Sequence, residues 1–213
     1  NSVYINNVEV FRPFLVRSGQ QEGLSVINPY MVDKIGFSTG GYAAKYGDKM
    51  SSALDITYKT LKAKSKKPVV EGSLAASLLG ADAYIGLGTQ KLSWLNSVRY
   101  KTTSYLLGSM ETKGEYKPNY LDYQTYLSYQ PNKRWKLDFI GYISDNHYNF
   151  EPEDRETKFG TMENVKSFRV YFDGQEKDRF LTYFGTLGIT RQFTANTSLS
   201  LLGSAFYTKE QEK

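Results

Sequence analysis

Trp135-Lys136-Leu137-Asp138-Phe139-Ile140-Gly141-Tyr142-Ile143 alternates with a period of two. Trp135, Leu137, Phe139, Gly141 and Ile143 share one face, and Lys136, Asp138, Ile140 and Tyr142 share the other. Successive side chains of a strand point to opposite sides, so this spacing predicts a strand lying between two unlike environments. In 121–129 the set Leu121, Tyr123, Thr125, Leu127 and Tyr129 opposes Asp122, Gln124, Tyr126 and Ser128. In 185–193, Leu187, Ile189 and Phe193 oppose Thr186, Thr190 and Gln192. Helical spacing is confined to residues 24–35, where Pro29 interrupts it. The fold class expected is therefore all-β.

Working outward, seven strands are predicted from residue 69 onward, at 69–79, 82–90, 94–107, 120–130, 135–149, 182–193 and 197–208. They are long beside the ~5–6 residues usual in soluble proteins, and each could cross a bilayer, which takes ~9–11 residues. The connections 91–93, 131–134 and 194–196 are short, whereas 108–119 and 150–181 are long. Transmembrane barrels sort their connections this way, with short periplasmic turns and longer outer loops. The turn at Gly80-Ala81 departs from the rule, being short where a long loop is due. Trp94, Tyr105, Tyr120, Trp135, Tyr148, Tyr183 and Tyr207 sit near strand ends, where amphipathic rings suit a membrane interface.

Composition narrows the function. The 213 residues contain no cysteine and one histidine, His147, which excludes a disulfide scaffold, a thiol nucleophile and a His/Cys zinc cage. With 27 basic and 22 acidic residues the net charge is +5, too small an excess to argue for nucleic acid. A mean hydropathy of −0.51 excludes a helical membrane protein, but not a barrel, whose strands alternate. No P-loop or dinucleotide fingerprint is present, since Gly86-x-Gly88 lacks the third glycine. His147 reads as a surface residue, and Glu151, Glu153, Asp154 and Glu156 as a solvated loop without calcium-site spacing. No catalytic residue, cofactor or metal site is expected, so the chain is not read as an enzyme. Residues 1–60 differ in style from the rest, and the lysine-rich stretch 61–68 reads as a linker between them and 69–213. Neither end reads as a natural terminus, and a longer parent protein is expected.

The segment from Val32 to Ile56 carries Val32, Ile35, Gly40, Gly41, Ala44, Tyr46, Gly47, Leu54 and Ile56 in a fixed order. It resembles the end of the plug domain of TonB-dependent outer-membrane receptors. Val3 to Val10 is similar to a hairpin of that plug, with Asn7 at a usual glycine; asparagine tolerates positive φ, so the turn is expected to survive. Ser97 to Tyr105 and Tyr120 to Gln124 resemble paired early barrel strands. Tyr171 to Glu176, Ser204 to Phe206 and Glu210 to Glu212 are similar to receptors of the Bacteroidetes type. The resemblance implies the C-terminal part of a plug over 1–60, the linker 61–68, and about seven of 22 barrel strands over 69–213. Gly40, Gly41, Ala44, Tyr46 and Gly47 are then the plug motif, its glycines serving tight reversal and close backbone approach.

The implied function is energy-coupled uptake of a scarce ligand across the outer membrane: a siderophore complex, cobalamin, a glycan or a peptide. Implied partners are outer-membrane lipid, TonB through a region outside this chain, the ligand and a surface lipoprotein, with no nucleic acid. Two other readings stay open, a non-transporting structural or adhesive barrel and a soluble β-rich binding module. In 97–103 an Arg and a Lys alternate with apolar residues. Facing lipid near mid-membrane, each would cost ~2–4 kcal/mol. Arg99 and Lys101 are therefore expected to face the lumen and touch the plug, with Glu9, Glu22, Asp33, Asp48 and Asp55 as candidate partners.

Overall fold

The computed structural model describes residues 2–11, 17–18, 21–22, 25–40, 43, 45–46, 52–102, 114–152, 155–161, 164–170 and 176–212. The first strands are β1 (Ser2–Ile5), β2 (Val8–Val10), β3 (Arg17–Ser18), β4 (Gln21–Glu22), β5 (Val32–Ser38) and β6 (Ala53–Tyr58). Four of them form a small sheet in the order β2-β1-β6-β5, with β1 parallel to β6 and the other neighbours antiparallel; β3 and β4 pair separately. The β1–β2 turn places Asn6 and Asn7 at φ 48° and 66°. This is the left-handed pair of a two-residue hairpin turn, and asparagine does meet it. Asn6 also ties the turn inward: its N–H donates to the Ile56 carbonyl, and its Oδ1 accepts from Tyr58 N at 2.9 Å. Pro29 opens a 3₁₀ turn, Pro29–Met31, capped by Asn28, rather than breaking a helix. No α-helix occurs among the described residues, and no helix there is long and apolar enough to cross a membrane.

A second sheet has seven antiparallel strands, each beside its chain neighbour in the sheet: β7 (Val69–Ser77), β8 (Gly80–Gly88), β9 (Leu92–Thr102), β10 (Gly114–Asn132), β11 (Trp135–Pro152), β14 (Glu176–Gln192) and β15 (Ser198–Glu212). The seven strands read from the sequence are these seven. Four are longer than expected: β10 starts six residues earlier, β11 ends at Pro152, β14 begins at Glu176, and β15 runs on to Glu212. The stretch 150–181 is correspondingly no plain loop. It holds a hairpin of β12 (Arg155–Thr161) and β13 (Asn164–Val170), whose register sets Glu156 opposite Arg169. The connection between β7 and β8 is short, as read, but the turn falls on Leu78-Leu79, and Gly80-Ala81, read as the turn, open β8. Gly80 has φ +147°, and a Cβ there would lie 2.1 Å from the Tyr100 carbonyl oxygen.

The two faces of the large sheet are sharply different. One face buries Leu95, Ser97 and Arg99 of β9, Asp122, Gln124 and Tyr126 of β10, Ile140, Tyr142 and Ser144 of β11, and Thr182, Phe184 and Thr186 of β14. The small sheet packs on it, so that Val3, Ile5, Val10, Val26, Met31, Ile56 and Tyr58 share one core with Tyr84, Leu95, Tyr126, Ile140, Tyr142 and Phe184. Each large apolar side chain withdrawn this way contributes ~1.5–3 kcal/mol. The other face is apolar and uncovered. It shows Trp94, Val98, Leu121, Tyr123, Phe139, Ile143, Tyr183, Leu187 and, on β15, Leu201 at 72% exposure. Its scattered polar atoms pair with one another: Tyr123 Oη donates to Asn96 Oδ1 at 2.8 Å, and Trp94 Nε1 to Thr125 Oγ1 at 3.0 Å. Among the described residues no strand pairs with the outer edge of β7 or of β15.

Candidate functional site: the seam between the two sheets

The coil Ser25–Asn28 runs against the polar face of β9 and β10, and each of its main-chain carbonyls from 25 to 27 meets a donor there. Arg99 Nη2 donates to Ser25 O at 2.8 Å and Nη1 to Ile27 O at 2.9 Å. Gln124 Nε2 lies 3.3 Å from Val26 O and 2.7 Å from Tyr58 Oη. Asn28 Nδ2 donates to Ser97 Oγ at 2.6 Å, while its Oδ1 accepts from Tyr30 N and caps the 3₁₀ turn. Strand alternation puts Ser97 and Arg99 on the same side, and the β9–β10 register sets Arg99 opposite Asp122 and Ser97 opposite Gln124. Arg99 Nε then donates to both carboxylate oxygens of Asp122, at 3.0 and 3.1 Å. Arg99 is 6% exposed and Asp122 1%. A buried charge is tolerated only when paired and hydrogen-bonded, and Asp122 together with two carbonyls meets that need. Burial pushes the Tyr58 hydroxyl above its usual range, so it stays a neutral partner of Gln124.

A second cluster lies at the end where the short turns gather. Asp55 accepts from Lys45 Nζ at 2.7 Å and from the Tyr46 hydroxyl, and the Tyr46 ring packs on Tyr4 at 5.0 Å between centroids. Partial burial works to raise the Asp55 pKa, but the Lys45 and Tyr46 hydrogen bonds outweigh it and hold the carboxyl below 3.8. The bond to Asp55 in turn raises the Lys45 pKa. This cluster borders a 580 Å³ cavity between the sheets, lined also by Asn6, Tyr126, Asp138 and Thr186.

The expected residues divide as follows. Arg99 faces the small sheet, as alternation requires, but its carboxylate comes from Asp122 on the neighbouring strand and not from the described acidic side chains of residues 1–60. Asp55 is held by Lys45, and Asp33 is exposed. Asp48 lies outside the described residues, as does the side chain of Glu22. Lys101 shares the face of Arg99 and sits with Asp82 and Ser77 around a small depression of 160 Å³ near the β7–β8 turn. Tyr46 is a packing and hydrogen-bonding residue. At Gly40 an added Cβ would meet nothing within 4 Å, so the close approach expected there is not found. Gly41, Ala44 and Gly47 lie outside the described residues. His147 is exposed, 3.7 Å from Asp145, and no metal-holding group of three His, Asp or Glu occurs among the described residues. Asn28, Asp122 and Gln124 were missed as site residues. The signal for two of them was present, because alternation already put Asp122 and Gln124 on one face of a strand. Comparison of the chain with family models, curated proteins and solved structures returns no match.

Proposed function

We propose that this chain is part of a TonB-dependent outer-membrane receptor, with residues 1–60 belonging to the plug and 69–213 to the first strands of a transmembrane barrel. The observation that carries the reading is the uncovered face of the large sheet, which is apolar, while the packed face mixes core residues such as Leu95 and Ile140 with Ser97, Arg99, Asp122, Gln124, Ser144 and Thr182. A soluble sheet keeps its uncovered face polar, whereas a membrane barrel turns apolar residues to lipid and admits polar ones toward the lumen. The outward apolar runs agree in height. They span 121–129 in β10, 135–143 in β11 and 181–189 in β14, and end at Asp145 and Arg179 on one side. Nine residues rise about 27 Å along a strand, or roughly 20 Å across a bilayer at the tilt usual for such barrels, beside an apolar band of ~25 Å. The remaining length of β10, β11 and β14 then overhangs at the end of the long connections.

In this reading the small sheet fills the lumen, and the grip of Arg99, Gln124 and Ser97 on 25–28 is where plug and wall are fastened. No bond is made or broken. A ligand such as a siderophore complex, cobalamin, a glycan or a peptide is captured outside and admitted when TonB, acting through a part of the receptor beyond this chain, shifts the plug. A surface lipoprotein would assist capture. In lipid the edges of β7 and β15 must be satisfied, by further barrel strands in the receptor or, for this chain in vesicles, by edge-to-edge pairing of copies. The test uses the two tryptophans, Trp94 and Trp135, both on the outward face. In phosphatidylcholine vesicles containing brominated acyl chains their fluorescence should be strongly quenched. Unquenched emission from vesicle-bound protein would refute the membrane reading.

A further inference from the structure

One end of the large sheet is basic throughout. The β8–β9, β10–β11 and β14–β15 turns gather there, joined by backbone bonds from Gln130 N to Lys91 O and from Gln192 N to Arg134 O. The coil 61–68 is pinned to the same end, with Ala63 N on Thr89 O and Lys62 Nζ on Gln130 Oε1. The coil brings four exposed lysines, and the turns bring exposed Lys91, Lys133, Arg134 and Arg191. Segments 61–68, 89–92, 130–136 and 190–197 contain no Asp or Glu. The opposite end mixes both signs, with Asp145, Arg179, Glu210 and Glu212. This basic rim borders the apolar face directly. Arg191 lies on the outward side of β14, its Cζ 5.1 Å from the Trp135 ring centre and 4.7 Å from that of Phe193. A guanidinium stacked on rings keeps its N–H fork for planar anionic acceptors.

We infer that this rim is a docking surface for the phosphate headgroups of anionic glycerophospholipids, seating the sheet at a fixed depth in the leaflet at the short-turn end. The inference rests on the membrane reading and adds which lipid chemistry that reading requires. Positive charge just beyond an apolar belt, with interfacial aromatics between, matches a bilayer whose headgroups are negative and whose chains lie beneath them. The stretch 61–68 is then more than a linker.

The experiment inserts the full chain into vesicles of phosphatidylcholine alone or with about 30 mol% phosphatidylglycerol, reading the fraction inserted from quenching by brominated chains. Insertion affinity should rise at least tenfold with the anionic lipid, taking about fivefold per basic residue less screening. Raising salt from ~50 to ~500 mM should erase the gain. The triple variant Lys133→Gln, Arg134→Gln, Arg191→Gln should insert into phosphatidylcholine normally and lose most of the preference. Should that variant fail to insert anywhere, Lys64→Gln, Lys66→Gln, Lys67→Gln, which lies off the sheet, carries the same expectation. Wild-type insertion with no anionic preference, or an undiminished preference in an inserting variant, overturns the docking surface and leaves the membrane reading standing. Failure of the wild type to insert into either vesicle overturns both.

Discussion

Replacing Asp122 with alanine tests whether the seam is a dry, fastened contact. Asp122 is 1% exposed and takes both oxygens to Arg99, itself 6% exposed. Removing one partner of a buried ion pair costs ~3–5 kcal/mol, because the other charge is left uncompensated. Arg99 would keep its bonds to Ser25 O and Ile27 O, which argues for the lower bound, about 3 kcal/mol. At ~1.4 kcal/mol per decade that is a loss of on the order of a hundredfold in the folding equilibrium. Arg99→Leu should cost a similar amount, since it strands the carboxylate and two carbonyls together. The double variant Arg99→Leu, Asp122→Ala removes both charges and should recover part of the loss, so the two effects should fall well short of additive. The assay is urea titration of the vesicle-inserted full chain, following protease access to residues 25–28 as well as global unfolding. If Asp122→Ala costs under ~1 kcal/mol and the double variant is simply additive, Arg99 is a solvated luminal charge and the fastening argument is wrong.

Val98, one residue from Arg99, points outward; Val98→Arg should cost ~2–4 kcal/mol in bilayers and far less in a zwitterionic detergent, read by the inserted fraction. Gly80→Val should be among the most damaging exchanges in β8, since its Cβ would meet the Tyr100 carbonyl at 2.1 Å with φ at +147°; a loss of at least ~2 kcal/mol in urea titration is expected. The Asp55 pKa is lowered in the fold, so the unfolded chain binds the proton more readily. Its contribution is therefore full above pH 3.8 and fades as pH falls through the lower folded value. Hydrogen exchange around 53–58 should quicken only in that acid window, and Lys45→Met should remove the step.

Much of this arrangement was legible because it rests on nearest-neighbour patterning. Alternation in 121–129 and 135–143 fixed which side chains share a face, and the clusters at 131–134 and 194–196 fixed two turns. The partner of Arg99 was not legible. It depends on the β9–β10 register, and the connection between those strands is too long for turn geometry to set it. The expected carboxylate lay across the seam, whereas a neighbouring strand ~5 Å away supplies it at lower ordering cost. The β12–β13 hairpin was hidden for another reason. Its two strands are seven residues each and rich in charged residues, so in sequence they look like loop composition. Pro29 misled in the same manner, because a residue that breaks a helix interior also opens a short turn.

The wall holds Ser25, Val26 and Ile27 by their main-chain oxygens, which every amino acid carries. Exchanges at 25 to 27 leave these acceptors in place, and are limited by the Ser25 Oγ bond from Ile27 N at 3.2 Å and by the packing of Val26 and Ile27 in the core. Purifying selection should fall instead on Arg99, Asp122 and Gln124, and on Asn28, whose own side chain makes the contact. A family descended from this chain would show an invariant wall, with the strap's own constraints set by size and burial at Val26 and Ile27 and not by its contacts to the wall.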